Sequence, residues 1–202
     1  MEEENNSPKE GLKWAGRFLG GAGLIFLELF KIVALAGITI LLVRYFLFKP
    51  FYVKGASMEP NFYDHEYLII DELTYRFRLP TRGEVIVFRY PGNPKEYFLK
   101  RIVGLPEERI KVAEGKVTVY NAEYPEGIAV DEKYLDKGLE TVGEKNITLG
   151  KDEYFVLGDN RPNSYDSRRF GPIDRTAIVG RAWFRGWPFS RMQTFKTPDF
   201  NL

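Results

Sequence analysis

Ser57 is the first residue in the chain whose type and surroundings suit a chemical reaction. It lies in the run Gly55-Ala56-Ser57-Met58-Glu59-Pro60, where small residues precede it. Small neighbours leave room for a substrate carbonyl to reach the serine hydroxyl and the local backbone N–H groups, as a nucleophile and an oxyanion hole require. Serine and proline are also common in ordinary turns. Ser57 is therefore a candidate nucleophile whose role depends on finding a base.

Few side chains in this sequence are able to activate a serine. There is no cysteine, and the one histidine, His65, lies in a polar turn where it is expected to be solvated. Lys100 lies in the apolar run 97–104, and in a strand it shares a face with Phe98 and Ile102. Burial among such residues lowers the pKa of a lysine and lets it accept a proton as a general base. The alternative is an edge strand whose lysine prevents pairing with another chain.

A polar loop from Gly158 to Gly171 directly follows the apolar run from Tyr154 to Leu157. The loop is dense in Asp, Asn, Ser and Arg side chains, which readily cap neighbouring backbone groups and need have no other role. Because the run before it is apolar, we expect that run to be a buried strand that holds the loop beside the core. There, Ser and Asp groups would orient a neutral lysine, and arginines would balance the acids.

Short runs rich in Val, Ile, Tyr and Phe predict the strands that position these residues. Turn residues separate the runs, and no long helical period lies between them, so the domain is predicted to be mainly β and largely antiparallel. The predicted strands are Tyr67 to Asp71, Glu84 to Tyr90, Tyr97 to Val103, Arg109 to Val112, Lys116 to Tyr120, Tyr154 to Leu157 and Ala177 to Phe184. Residues 121–150 are a polar insertion, predicted to be a surface excursion carrying one short helix.

The N-terminal region has the composition of a membrane anchor preceded by a tail. Residues 1–30 are predicted to be a polar tail followed by an interfacial or partly inserted segment, and whether 11–30 form a second membrane helix stays open. Residues 32–48 are apolar except for Arg44, near the lower length limit for a spanning helix, so 31–50 are predicted to be a transmembrane anchor. A removable signal peptide is the alternative, but the apolar run starts late and an aromatic-rich stretch follows it.

The overall charge argues against a nucleic-acid partner. The net charge is +1 and the pI is near 7.8, and the Lys and Arg residues are scattered rather than gathered into a stripe. The absence of cysteine excludes disulfides and thiolate metal sites. Nothing in the sequence requires a metal or an organic cofactor.

Together, the three polar stretches resemble the type I signal peptidases, a family of membrane-anchored Ser/Lys proteases. The similarity lies in SM-x-P from Ser57 to Pro60, KR-x-VGLP from Lys100 to Pro106, and GDNR-x-NS-x-DSR-x-FG from Gly158 to Gly171. Order, spacing and the preceding apolar segment agree from about Lys31 to Trp183. The combination is far more specific than any one of these motifs.

The resemblance implies a role for each matching residue. Ser57 would be the nucleophile, its backbone N–H would hold the oxyanion, and Lys100 would be the general base. Ser164 would orient the lysine with help from Asp166. Supporting ion pairs would involve three further residues: Asp159, Arg101 and Arg168.

The resemblance also implies the setting and the partners. A mainly β catalytic domain at 51–202 would lie on the extracytoplasmic face of the plasma membrane, held there by a single-pass anchor. Its substrates would be exported preproteins, bound as an added extended strand and cut after a signal peptide with small residues at the first and third positions before the cut. The lipid bilayer would be the second partner, contacted by part of an aromatic set whose other members pack in the core: Phe62, Tyr63, Trp183, Trp187 and Phe189.

Four positions depart from the usual family pattern. Asn61 stands where a threonine is common, Glu107 replaces a glycine, and Pro162 replaces an acid. Gly55 occupies the place where some members carry a hydroxyl that assists the oxyanion hole. None of these departures removes a reacting group, so they bear on substrate range and rate.

Two other functions are compatible with parts of the pattern. A self-cleaving regulator related to DNA-repair repressors shares the Ser/Lys β-fold, but it would carry a DNA-binding helical domain where this chain has an apolar segment. A membrane-tethered β-domain that binds extended peptides without catalysis is the non-enzymatic alternative. The presence of both the serine and the lysine argues against it.

Overall fold

The computed structural model describes residues 23, 25–41, 48–198 and 200–201. The chain divides into two compact units, Met1–Tyr45 and Phe46–Leu202. The described part of the first unit is a helix, α1, over residues 25–41, in which Lys31 pairs with Glu28 at 2.9 Å. Among the helices that the structure describes, none has both the length and the apolar composition needed to span a membrane. The predicted tail at 1–10 and Arg44 lie outside the described residues.

Strands form most of the regular structure in the described part of the second unit. All seven stretches predicted as strands do form strands, with small differences at their ends. The elements are β1 (Phe48–Tyr52), β2 (Tyr67–Asp71), β3 (Val85–Tyr90), β4 (Asn93–Gly104), β5 (Arg109–Ala113), β6 (Lys116–Tyr120), β7 (Ile128–Ala129), β8 (Lys145–Thr148), β9 (Glu153–Leu157), α2 (Ser167–Phe170), β10 (Ile173–Asp174), β11 (Ile178–Trp187) and β12 (Gln193–Thr194).

The strands make two antiparallel sheets. The larger has the order β1-β2-β11-β3-β4-β9-β10, with β12 paired to β11, and the smaller has the order β7-β6-β5-β8. Strand β5 illustrates why the sequence folds this way, since Ile110 and Val112 are buried while Lys111 between them is exposed. The prediction of a mainly β, largely antiparallel domain is confirmed.

Three apolar clusters hold the sheets together. One joins the smaller sheet to the larger, because Ile110 and Val112 pack with Val103, Phe155 and Leu157. The other two lie against the larger sheet. The cluster around Met58, Phe62 and Leu99 lies beneath the segment that carries Ser57, and the cluster around Ile86, Phe88, Ile102 and Val156 lies below the polar loop.

The structure differs from the sequence-based expectations in two places. The insertion at 121–150 contains no helix; instead β7 pairs with β6 and β8 pairs with β5. The β5–β6 hairpin has two open edges, and the short strands that contain Ile128 and Ile147 pair with them. These strands depend on a neighbour distant in sequence, so the local composition does not predict them. Residues 48–50, which the sequence assigned to the anchor, form the start of β1 because they pair with 69–71.

Arg82 and Glu108 form a buried ion pair near the junction of the two sheets. Their side chains are 8% and 7% exposed, and Arg82 Nη2 lies 2.6 and 2.8 Å from the two carboxylate oxygens. Glu108 also accepts from the Leu105 N–H and from Asn121 Nδ2, at 2.8 and 3.0 Å. The carboxylate therefore links three chain segments in a place that water hardly reaches.

Replacing one partner of this pair should be costly. Glu108→Ala leaves the Arg82 charge buried and unpaired, so we expect the free energy of unfolding to fall by about 3–5 kcal/mol. The control is Asp131→Ala, which removes the partner of exposed Lys133 and should cost less than about 1 kcal/mol. Urea denaturation followed by tryptophan fluorescence measures both, and equal costs would contradict a structural role for the buried pair.

Candidate active site

Ser57 lies on a tight turn between β1 and β2. The Glu59 N–H donates to Ala56 O at 3.2 Å, and the Phe62 N–H donates to Met58 O at 2.9 Å. Met58 and Phe62 are each only 1% exposed, so the side chains that follow the serine anchor the turn in the core. Packing of the residues that follow Ser57 therefore fixes its position on the C-terminal side.

Lys100 meets Ser57 directly. Its Nζ lies 2.7 Å from Ser57 Oγ and also donates to Leu99 O at 2.9 Å. Strand β4 pairs with β3 on one side and, from Arg101 onward, with β9 on the other, and Lys100 is only 4% exposed. Lys100 is therefore buried, as the interior-strand interpretation expected, and it is not an exposed edge lysine, although β4 up to Lys100 pairs on one side only among the described strands.

Burial determines the protonation of Lys100. The loss of solvation lowers the pKa of this amine to about 8, although the negative charges of Asp166 and Asp159 oppose the change. The Phe98 ring, whose centroid is 5.4 Å from Nζ, contributes to the apolar surroundings. A substantial fraction of the amine is thus neutral in mildly basic solution, which an exposed lysine does not achieve.

Asp159 ties the polar loop to the strand that carries Lys100. Its two carboxylate oxygens accept from Arg101 Nε at 2.8 Å and Nη2 at 2.6 Å, and Arg101 Nη1 also donates to Gly83 O. Asn61 Nδ2 donates to Asp159 Oδ2 and to Tyr134 O, each at 2.9 Å. Asp159 therefore connects β4 with the segment that follows Ser57.

Asp166 organises the second half of the loop. It caps α2 and accepts from Arg168 Nε and Nη2, both at 2.8 Å, and from the Gly158 N–H at 3.0 Å. Burial by itself would raise the pKa of Asp166, but the hydrogen bonds and charge of Arg168 outweigh it and leave the pKa below its usual value. Asp166 is therefore ionised and already paired.

Ser164 lies against Gly158 and the turn that carries Ser57. Its Oγ is buried and makes no hydrogen bond of standard geometry among the described residues, but it lies near enough to the Asp166 carboxylate to contribute to the lowered pKa of that group. A Cβ placed on Gly158 would lie 2.1 Å from Ser164 Oγ and 2.4 Å from Ser57 O, so glycine is needed there. The hydrogen bonds of Lys100 go to Ser57 and Leu99, and the orienting role expected for Ser164 stays a prediction.

Asn160 is a site residue that the sequence reasoning missed. Its N–H donates to Ser57 O at 3.1 Å, and its side-chain Nδ2 donates to Ala56 O at 2.9 Å. Asn160 thereby holds the backbone of the turn that carries Ser57 from the side of the polar loop. Its position inside the loop motif could have marked Asn160 as a site residue. The residue type alone, however, does not reveal a hydrogen-bond partner more than a hundred positions away.

The insertion also reaches the site, which its prediction as a surface excursion did not anticipate. Arg161, 1% exposed, donates to both carboxylate oxygens of Glu132, to Thr141 and to Gly158 O. The Tyr134 ring lies under the Arg101 guanidinium, 4.1 Å from ring centroid to Cζ. The segment 132–141 therefore holds the polar loop from behind.

A cleft of about 550 Å³ opens beside the pair. Its walls are the end of β1 with the residues that follow it and the middle of β4, and they include Phe51, Val53, Met58, Tyr97 and Leu99. His65, in contrast, has an exposed ring 3.0 Å from Asp64. Within the described residues, no group of three His, Asp or Glu side chains is placed to hold a metal ion.

The lowered pKa of Lys100 has a measurable effect on stability. Folding moves this pKa from its usual 10.5 to about 8, so the native state binds fewer protons than the unfolded state between those values and wild-type stability rises with pH there. At pH 7 the buried charge costs up to about 3 kcal/mol. We expect Lys100→Met to be more stable than wild type by up to that amount at pH 7, and to lose the advantage above about pH 10.5.

Urea denaturation across pH tests this expectation. Lys95→Met, on the same strand but at an exposed position, is the matched control and should shift stability little at any pH. If Lys100→Met were less stable than wild type at every pH, burial of the Lys100 charge would not destabilise the native state.

Comparison with known proteins identifies relatives of this chain. The family described as "Signal peptidase, peptidase S26" matches residues 26–187. The chain is similar to the "Probable signal peptidase I-2" of Synechocystis sp., with 37% identity over 172 residues that cover 83% of this chain and 76% of the relative. It is also similar to "Signal peptidase IB" of Staphylococcus aureus, with 31% identity over 178 residues that cover 83% of this chain and 92% of the relative.

Among solved structures, a signal peptidase I from Enterococcus faecalis is 28% identical, with a TM-score of 0.43, over 52% of this chain and 97% of that one. The family match alone spans most of the chain, including the turn of Ser57, the strand of Lys100 and the polar loop. The chain is therefore a member of the signal peptidase family of serine endopeptidases, peptidase family S26, as its sequence predicted.

Proposed function

We propose that this protein removes N-terminal signal peptides from exported preproteins, with Ser57 as nucleophile and Lys100 as general base. The observation that carries the proposal is the 2.7 Å contact between Ser57 Oγ and a buried amine whose pKa is lowered to about 8. A lysine in this state can accept the proton of a serine hydroxyl, which an exposed lysine at neutral pH does not do.

The reaction follows from the positions of these groups. Neutral Lys100 accepts the Ser57 proton as Oγ attacks the carbonyl carbon of the scissile bond. The Ser57 N–H, which has no acceptor among the described residues, donates to the developing oxyanion. The C–N bond then breaks, the lysine returns its proton to the leaving amine, and an ester on Ser57 remains. Lys100 next activates a water that hydrolyses this ester and releases the signal peptide.

The cleft beside the pair suits an extended peptide. β1 is the terminal strand of the larger sheet, and the backbone of residues 97–100 pairs with β3 on one side only among the described strands. A substrate strand can therefore pair with both open edges and deliver its carbonyl to Ser57. The apolar walls from Val53, Met58 and Leu99 lie close together, which favours small side chains before the cut.

We also propose that residues 31–47 anchor the domain in the plasma membrane, with the catalytic unit on the extracytoplasmic face. Two observations support this placement: β1 begins at Phe48, where the apolar run ends, and the aromatic side chains of Tyr67 and Trp187 are exposed where β2 pairs with the end of β11. Phe62 is buried in the core, whereas four members of the aromatic set expected at the membrane are 37–71% exposed: Tyr63, Trp183, Trp187 and Phe189.

The dyad is tested by cleavage of a fluorogenic signal-peptide substrate across pH. Because only the neutral amine acts as base, kcat/KM should rise about tenfold per pH unit below pH 8 and level off above it. Ser57→Ala and Lys100→Ala should each lose roughly a thousandfold or more in kcat. His65→Ala is the control, and its profile should match that of wild type. A Lys100→Ala protein that still cleaves would defeat the proposal.

Gly158→Ala tests whether the loop must touch the nucleophile turn. The added Cβ would overlap Ser57 O and Ser164 Oγ, so the turn must shift. We expect kcat to fall about a hundredfold, as displacement of a reacting group by about 1 Å can do. Gly186→Ala, whose new Cβ would meet nothing closer than 3.7 Å, should retain wild-type activity. Equal activity of the two variants would show that close contact between the polar loop and the turn of Ser57 is not needed for catalysis.

A further inference from the structure

A second cleft, of about 370 Å³, lies on the other side of Ser57. It shares Lys54, Gly55, Ser57 and Tyr165 with the larger cleft, and its remaining walls come from the polar loop, including Ser164 and Arg169. The shared residues surround the nucleophile. A peptide chain whose scissile bond rests on Ser57 must therefore continue from one cleft into the other.

The two clefts differ in chemistry. The larger is lined by β-strand edges and by apolar side chains such as Phe51, Val53 and Leu99, which suits the signal peptide. The smaller has no such strand edge. It adds Arg169 to the Lys54 that both clefts share, and no acid lines it, whereas Glu96 lines the larger cleft. Lys54 and Arg169 are both exposed, and neither has an ion-pair partner among the described residues.

Nearby acids do not cancel these two charges. Asp166 is paired with Arg168, and Asp159 is paired with Arg101. Asp64 accepts from the Gly55 N–H and lies beside His65 rather than on the wall of the cleft. The smaller cleft therefore presents net positive charge to whatever occupies it.

Tyr165 stands between the clefts and is held in place. Its hydroxyl lies 3.2 Å from the Tyr90 hydroxyl, and its ring packs on Phe170 with centroids 5.6 Å apart. It is 46% exposed and lines both clefts. A rigid ring at this point separates the two binding environments at the cut.

We propose that the smaller cleft binds the first residues of the mature protein, immediately after the cut, and that Lys54 and Arg169 make it prefer acidic residues there. This inference rests on the proposed function and adds a substrate preference to it. Arg169 occupies a position that the family motif leaves variable, so the preference belongs to this chain and is separable from the dyad. Exposed charge pairs are individually weak, and the preference is accordingly graded and sensitive to salt.

The experiment uses the full chain in detergent with peptides that share one signal sequence. The two residues after the cut are Asp-Asp, Asn-Asn or Lys-Lys, and kcat/KM is measured at low and high salt. We expect Asp-Asp to exceed Asn-Asn by about 3–10-fold at low salt and Lys-Lys to be the poorest, with the differences shrinking in salt. Arg169→Glu should reduce or reverse this order while the Asn-Asn peptide is cleaved as by wild type.

Lys151→Glu is the matched control. It makes the same change in net charge at an exposed turn before β9, at the opposite end of that strand from the polar loop, and it should leave the order unchanged. Equal cleavage of the three peptides, or an order that Arg169→Glu does not alter, would overturn the inference while cleavage of Asn-Asn leaves the proposed function intact. Failure to cleave any peptide would overturn both.

Discussion

The burial of one amine governs the rest of the site. Lysine is stable in an apolar interior only when its charge is lost or matched, and Lys100 has just two hydrogen-bond acceptors among the described residues, Ser57 Oγ and Leu99 O. Two carboxylates lie near enough to influence it. Each of them is also engaged by its own arginine, Asp159 by Arg101 and Asp166 by Arg168, which partly offsets its charge, although both carboxylates still oppose the lowering of the Lys100 pKa by burial.

This arrangement explains why so many charged side chains surround an amine that the proposed mechanism needs in its neutral form. If Arg101 or Arg168 were missing, the freed carboxylate would favour the ammonium form and keep the base protonated. The arginines also place the acids where they are useful, since Asp159 binds Asn61 and Asp166 binds the Gly158 N–H. One set of ion pairs therefore sets both the electrostatics and the geometry of the serine and lysine.

The contact between Ser57 and Lys100 could be anticipated because the alternatives were so few. With no cysteine and a histidine in a polar turn, a lysine flanked by Phe98 and Ile102 was the remaining candidate base, and alternation along β4 indicated its burial. The strands were predictable for the same reason, since apolar alternation is local. The roles of Asn160 and Asn61 were not, because each depends on a partner about a hundred positions away. The short strands β7 and β8 exist only because the hairpin beside them has open edges.

The contact between Glu132 and Arg161 links the insertion to the polar loop across 29 positions of sequence. Arg161 is almost fully enclosed, so a lineage that shortened or exchanged residues 121–150 would leave a buried cation without its counter-ion. The two segments must consequently be inherited together, or the arginine must be replaced in the same step. Grafting the insertion alone between relatives would fail for an electrostatic reason, even where the graft fits the sheet.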